Sequence, residues 1–511
     1  MKNKLMSTTI KFLIVIVLLF IQIKLSEIQY NGSKNNIIFF NFVIEILKVI
    51  LVLHIIYKLQ SPSYKLLWII LIMLFPLPGL LLYVFFGSTK ISNSFQSKID
   101  KEYVDFKKYL NYDNKTCEEL KNTDQIKYNQ VNYLYNTNSF PLYKNSQIEY
   151  FDIGEKYFES MIQDILKAKK YIFVESYSIT EGVMWNRLFD ILKQKVLEGV
   201  KVYIIVDAIN DFEKLPKDFK KILDNVGIQY RIFNSNIVKT NSYLNYRNHR
   251  KITLIDGNTT YTGGINIGDE YINIYKKFGH WKDAGIKSVG KSTLSYIIMF
   301  IEMWNLSSKD LKLNYQDFID TKFKDENITN GYIMPYCDGP DNSSNVAKNL
   351  YIQILNTAKK YVYITTPYLI LDNEIIISLV NSARSGVDIR IITPYIPDKK
   401  FIHLASQAFY QTLLESGVKI YEYKPGFIHS KTFVTDDELV TVGSINLDFR
   451  GLYSHFECGN WIYKTGIETE VKDDFLKTQE VSLEIKLDDW KMRSFFKRLL
   501  DKILMTISPL I

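Results

Sequence analysis

The sequence predicts an α/β protein of two similar halves, each a sheet flanked by helices, preceded by an N-terminal transmembrane helical module. Three observations predict it. NHRKITLIDGNTTYTGGIN at 248–266 recurs 180 residues later as IHSKTFVTDDELVTVGSIN at 428–446, and both copies read H-x-K-x4-D-x6-G-[GS]-x-N. AKKYIFVESYSI at 168–179 recurs as AKKYVYITTPYL at 358–369. The first ninety residues are far more apolar than the rest of a chain that is 47% apolar overall. At 511 residues the chain exceeds one compact core, so more than one domain is expected.

The apolar module takes residues 1–90. Phe12–Ile23 is a short apolar run ending before Lys24, which places a short first helix at 10–25. A signal peptide is the rival reading, but no small-x-small cleavage site follows. Ile37–Tyr57 is long enough to span a bilayer and carries Glu45, Lys48 and His54. A charge at the bilayer centre costs about 2.5–3.5 kcal/mol. Glu45 and Lys48 are three residues apart, share a helix face and can pair. Leu66–Phe86 is twenty-one residues without a charge, the length that crosses a hydrocarbon core of ~30 Å. Its Pro76, Pro78 and Gly79 are tolerated better in membrane helices than in soluble ones. These segments predict a multi-pass protein of the cell membrane.

A polar stretch rich in Lys, Asn and Tyr then reads as a linker over 91–140, followed by halves at 141–325 and 326–511. In each half a buried strand follows the AKKY segment. Helical residues then end in EGVKVYIIVDA (198–208) or SGVDIRIITPY (385–395), a Gly-Val turn into a β-branched strand. ITLID and TFVTD, inside the long repeat, also read as strands. Net charge is +8, which suits an anionic partner, phospholipid or nucleic acid alike. The three cysteines, Cys117, Cys337 and Cys458, are far apart, which argues against a disulfide framework. No Cys/His spacing resembles a metal site, and no cofactor motif is present.

The chemistry sits in the long repeat. Only six histidines occur in the chain, and His249 and His429 open the two copies. A scaffold that merely packs repeats its apolar residues, whereas this one repeats polar residues in register: Lys251 with Lys431, Asp256 with Asp436, Asn266 with Asn446. On a strand, residues i and i+2 share a face, so each His and Lys point to one side. An imidazole beside an ammonium is a poor core and a good phosphate site. Two ammonium groups can hold the nonbridging oxygens of a phosphodiester, one neutral imidazole can attack phosphorus, and a second can protonate the leaving oxygen. A carboxylate on the far ring nitrogen would fix the tautomer, with the motif Asp as the natural candidate. Asn266 and Asn446 are candidates for amide bonds to phosphate. Glu175 and Asp207 end strands of the first half, either capping turns or supporting the site. His280 and His455, close to motif segments, are weighted as structural or rim residues, and His403 as packed or solvated. The amphipathic tail at 490–511 either packs on the catalytic halves or touches a bilayer surface.

The paired motif resembles that of the phospholipase D superfamily, and more narrowly that of bacterial cardiolipin synthases. The resemblance rests also on LLWIILIMLFPLPGLLLYVFFGS (66–88), GGINIGDEY (263–271), HWKDAGI (280–286), CDGPD (337–341), TTPYLILD (365–372), GSINLDFR (443–450) and Glu457. It implies two phospholipase D-like halves forming one pseudo-symmetric site. It implies a phosphatidyl group carried on His249, His429 as acid and then base, Lys251 and Lys431 on phosphate, and Asp256 and Asp436 supporting the histidines. The substrates implied are phosphatidylglycerol and membrane phospholipids, the products cardiolipin and glycerol, with no metal or other cofactor. Hydrolysis to phosphatidic acid stays open, since it shares the covalent intermediate. A nuclease of the same superfamily, acting on nucleic acid, is disfavoured by the membrane segments. A non-catalytic membrane scaffold is disfavoured by the intact His, Lys and Asp of both copies.

Overall fold

The computed structural model describes residues 35–58, 61–87, 91–110, 113–144, 146–208, 215–234, 246–307, 311–319, 331–342 and 344–510. The expected helix at 10–25 lies outside these. A helix does form over the first expected span, Asn35–Tyr57, with Glu45 and Lys48 paired on it. The expected span 66–86 is not one helix. It divides at Phe75 into Pro62–Leu74 and Pro76–Phe86, of 13 and 11 residues. Pro76 removes a backbone donor and drives Phe75 out of the helical region, to φ −132° and ψ 76°. The two helices then press together: a Cβ at Gly79 would lie 2.7 Å from the carbonyl oxygen of Leu71. At 1.5 Å per residue they run about 20 and 16 Å, short of the ~30 Å hydrocarbon core. Among the described residues no helix is long and apolar enough to cross a membrane.

The stretch 91–140 is not a linker but three packed helices, Asn93–Lys107, Asn114–Thr123 and Gln125–Asn138. Ser92, Asp113 and Asp124 cap them by accepting bonds from backbone N–H groups of their first turns. On each, an apolar stripe that includes Phe106, Leu120 or Leu134 is buried. A polar composition hid them, because only one stripe of each helix needs to be apolar.

The first half contains β1 (Ser146–Phe151), β2 (Tyr171–Ser176), β3 (Lys201–Asp207), β4 (Gln229–Phe233), β5 (Ile252–Ile255), β6 (Thr259–Gly263), β7 (His280–Lys282) and β8 (Gly285–Gly290). The second contains β9 (Tyr332–Asp338), β10 (Tyr361–Thr365), β11 (Asp388–Pro394), β12 (Lys419–Tyr423), β13 (Gly426–Ile428), β14 (Thr432–Thr435), β15 (Leu439–Gly443), β16 (Glu457–Tyr463) and β17 (Ser482–Ile485). The sheet orders are β1-β8-β6-β5-β2-β3-β4 and β17-β12-β11-β10-β14-β15-β16-β9. Read from β1 and from β9 they match strand for strand, with β17 added at the far edge. The halves are therefore one α/β fold used twice, with sheets flanked by helices.

Helix Thr293–Ser307 shows how the halves join. It is buried from Ser295 through Leu306 and packs on β4, β5 and, across the interface, β9. Its counterpart Ile467–Glu480 packs on β10, β14 and, across the interface, β1. Two short strand exchanges complete the join. β7 pairs in parallel with β13, and Asn248 forms a bridge with Phe456.

Candidate active site

The exchanges bring both histidines to the seam between the halves. The N–H of His249 donates to the carbonyl of Phe456 at 2.8 Å, and that of His429 to the carbonyl of Lys282 at 2.6 Å. Each backbone is thus held by the opposite half, and so is each ring. Nδ1 of His249 lies 2.9 and 3.0 Å from the two carboxylate oxygens of Glu457, and Nδ1 of His429 lies 2.6 Å from Oδ2 of Asp283. A carboxylate on Nδ1 fixes the tautomer that leaves Nε2 as the reactive nitrogen. Lys251 Nζ donates to the carbonyl of His249 at 2.5 Å, and Lys431 Nζ likewise to that of His429. In both copies the Lys ammonium thus reaches the backbone of its own histidine, just ahead of β5 and β14.

The motif aspartates are not the histidines' partners. Asp256 accepts the N–H groups of Lys169, Lys170 and Tyr171 at 2.8, 2.7 and 3.0 Å, and Asp436 those of Lys359, Lys360 and Tyr361 at 2.7, 2.8 and 3.0 Å. The physical reason is distance. Asp256 lies past the far end of β5 from Lys251, about 16 Å away at ~3.3 Å per residue. The two repeats in the sequence are thus one interaction made twice: AKKY turns are tied down by the motif Asp.

Of the two asparagines, Asn266 is occupied by the protein itself. Its Oδ1 accepts from the N–H of Ser178 at 3.3 Å and its Nδ2 donates to the Tyr271 hydroxyl at 2.6 Å. Asn446 is buried, and its Oδ1 has no hydrogen-bond partner among the described residues. Glu175 and Asp207 hold the approach to His249. Glu175 accepts from Asn248 Nδ2 at 2.7 Å, and Asp207 from the Asn248 N–H at 2.8 Å. His280 bonds the Tyr423 hydroxyl at 2.8 Å. His455, by contrast, is at the site, its ring centroid 5.3 Å from that of His249 and its Nδ1 3.6 Å from Glu457. Among the described residues His249, His455 and Glu457 are the one group whose metal-ligating atoms gather within 4.8 Å. No local spacing links all three, because they come from both halves.

Two family models match the chain. One, "Cardiolipin synthase, PLD-like domain", covers residues 161–275 and 351–478; the other, "Phospholipase_D-nuclease N-terminal", covers 46–88. A cardiolipin synthase of Listeria welshimeri is 35% identical over 72% of this chain and 76% of its own. Cardiolipin synthase 2 of Bacillus anthracis is 30% identical over 88% of each. The chain belongs to the cardiolipin synthase family. It is an enzyme of phospholipid biosynthesis, a phosphatidyltransferase with phospholipase D-like halves. The crystal structure of a phosphatidylserine synthase from Haemophilus influenzae has the same fold, with a TM-score of 0.57 at 14% identity, covering 76% of this chain and all of that one.

In this cardiolipin synthase-family site the charges are set for an anion. Burial, with the ammonium groups of Lys251 and Lys431 and the ring of His429, holds His249 well below its usual range. Burial and Lys431 hold His429 at about 4, with Asp283 opposing them. Burial lowers Lys251 to about 7 and Lys431 to about 8. Neutral imidazoles and easily discharged ammoniums mark a site short of negative charge. A bound phosphodiester supplies it and raises all four groups.

Proposed function

We propose that the chain is a cardiolipin synthase of the cell membrane, transferring a phosphatidyl group between two phosphatidylglycerols. The observation that carries this is the crossed pair, each histidine bonded through Nδ1 to a carboxylate of the opposite half and each beside an ammonium group. Neutral His249 attacks the phosphorus of the first lipid through Nε2. The bond from phosphorus to the headgroup oxygen breaks, and His429 gives that oxygen a proton, releasing glycerol. Neutral His429 then takes the proton of a hydroxyl on the headgroup of the second phosphatidylglycerol. That oxygen attacks phosphorus, the P–N bond breaks, and cardiolipin leaves. Lys251 and Lys431 hold the nonbridging oxygens, and the diester's negative charge raises His429 so that it carries the first proton. Asp256 and Asp436 keep the strands in place at a distance.

The test is a lipid-product assay on protein reconstituted with phosphatidylglycerol, without added metal or cytidine nucleotide. Cardiolipin and glycerol in equal amounts are expected. Phosphatidic acid without cardiolipin would replace transfer by hydrolysis.

A further inference from the structure

We propose that the C-terminal helix Phe495–Ile507 and the helix Lys400–Gln407 form, with the N-terminal helices, one face that docks on an anionic phospholipid surface on the His429 side of the site. The C-terminal helix exposes Phe495, Phe496, Leu499 and Ile503 along one stripe, Phe496 at 79%. Its opposite side is anchored, with Leu504 and Asp501 buried and Asp501 paired to Arg493 at 2.8 Å. The stripe is therefore turned outward by packing rather than left over by it.

The face is continuous. The C-terminal helix packs on Lys400–Gln407, which itself exposes Phe401 and Leu404, and on Pro62–Leu74, which exposes Leu66, Ile70 and Met73. Pro62–Leu74 packs in turn on Pro76–Phe86, which exposes Val84, and on Asn35–Tyr57, which exposes Phe39, Phe42, Ile50 and Leu53. Soluble proteins rarely expose apolar surface on this scale. Lys497, Arg498 and Lys502 are exposed on the same C-terminal helix, so the stripe has the cationic flank that anionic headgroups attract.

Its position fits the substrate. Asp398, just before Lys400–Gln407, accepts from the Tyr368 hydroxyl at 2.7 Å. The Tyr368 ring is 6.4 Å from that of Phe427, which is 6.0 Å from that of His429. Asp398, Tyr368 and the buried Phe427 thus tie this face to the wall around His429, so a bilayer seated on the face lies on the His429 side of the site.

This inference rests on the lipid-transfer reading, and the test separates the two. Full-length Phe496→Cys and Leu197→Cys are labelled with a polarity-sensitive fluorophore and bound to phosphatidylcholine vesicles containing or lacking phosphatidylglycerol. Leu197, 83% exposed, lies on the helix Val183–Leu197 of the first half. The label at 496 is expected to shift to the blue and to be quenched by acyl-chain nitroxides, more strongly with phosphatidylglycerol, while the label at 197 stays in water. The reading needs no turnover, so it stands even if the product is not cardiolipin. Phe496→Glu is expected to lose about tenfold in rate on vesicles and nothing on monomeric short-chain phosphatidylglycerol. A label at 496 as wet as that at 197 on vesicle-bound protein overturns the proposal. So does one shielded in detergent by a second copy of the chain.

Discussion

The two sides of the site share a backbone plan and differ in how much is asked of each carboxylate. On the His429 side, Asp283 serves one ring, at 2.6 Å, and accepts the N–H of Ala284 at 2.8 Å, within a wall formed by Trp281, Phe427 and Tyr271. On the His249 side, Glu457 serves His249, accepts the hydroxyl of Ser444 and faces His455 at 3.6 Å. The variable position of the motif records this. Gly264 has no room for a side chain, since a Cβ there would lie 2.1 Å from Oδ1 of Asp283, whereas Ser444 uses its side chain to bond the carboxylate. A carboxylate devoted to one ring stabilises the imidazolium an acid needs; a shared one favours the neutral ring a nucleophile needs. We propose on that ground that His249 attacks and His429 transfers the proton.

The largest effect tests the assignment itself. His249→Ala and His429→Ala should each lower transfer between two phosphatidylglycerols by about six orders of magnitude, as loss of a nucleophile or its acid does elsewhere. They part company on a phosphatidyl ester of p-nitrophenol, whose leaving group needs no proton. There His429→Ala should accumulate a covalent lipid adduct, visible by mass spectrometry, and His249→Ala should form none. An adduct in the second variant alone would exchange the roles.

Next come the carboxylates. Glu457→Gln and Asp283→Asn should lower kcat by about 10²–10⁴, because an amide no longer holds the required tautomer. Asp256→Asn should leave kcat within a few-fold of wild type and lower Tm instead. A charged acceptor of three N–H groups is lost there, at a cost of about 1–3 kcal/mol. Equal losses of kcat in Asp256→Asn and Glu457→Gln would contradict the geometry.

These variants also mark where the sequence stopped being legible. The duplicated α/β halves, their AKKY strands and the paired His and Lys could be read because repeated residues occupy repeated places. The histidines' carboxylates could not. Asp283 follows Gly263 by twenty residues and Glu457 follows Gly443 by fourteen, so the register is broken where the partners lie. The crossing adds to this, since each carboxylate serves the other half's histidine and no local spacing links them. Asp at fixed offset drew attention for its regularity, and that regularity comes from the turn it holds, at φ 51° in one copy and 56° in the other. In the apolar module, length alone made one span of 66–86, and Pro76 divided it.

A smaller effect concerns pH. Lys251 and Lys431 sit near 7 and 8 in the free site, below the ordinary ammonium value, and must be charged to receive phosphate. kcat/KM should therefore fall as pH rises through 7–8, well before an exposed lysine would discharge. The acid limb depends on His249 remaining neutral. Its lowered value keeps activity intact below pH 6.5, where an ordinary imidazole would already be charged. Lys251→Arg keeps its charge throughout this range and should move the onset of the basic limb to higher pH. An unmoved limb would shift the titration to Lys431.

The finest test of the unequal carboxylates is His455. Its ring faces His249 and its Nδ1 faces Glu457, yet it belongs to no repeat, and Trp281 takes the same place two residues before Asp283. Burial lowers His455 to about 4, while Glu457 opposes that shift, so the carboxylate's charge acts on two rings. In His455→Ala it acts on His249 alone. His249 should then hold its proton to higher pH, moving the acid limb of kcat/KM upward by a fraction of a unit while kcat at neutral pH changes less than about tenfold. A merely structural His455 would lower Tm and leave the limb where it was. Movement of the limb would show that the enzyme sets its nucleophile by dividing one carboxylate, where the opposite side keeps another whole.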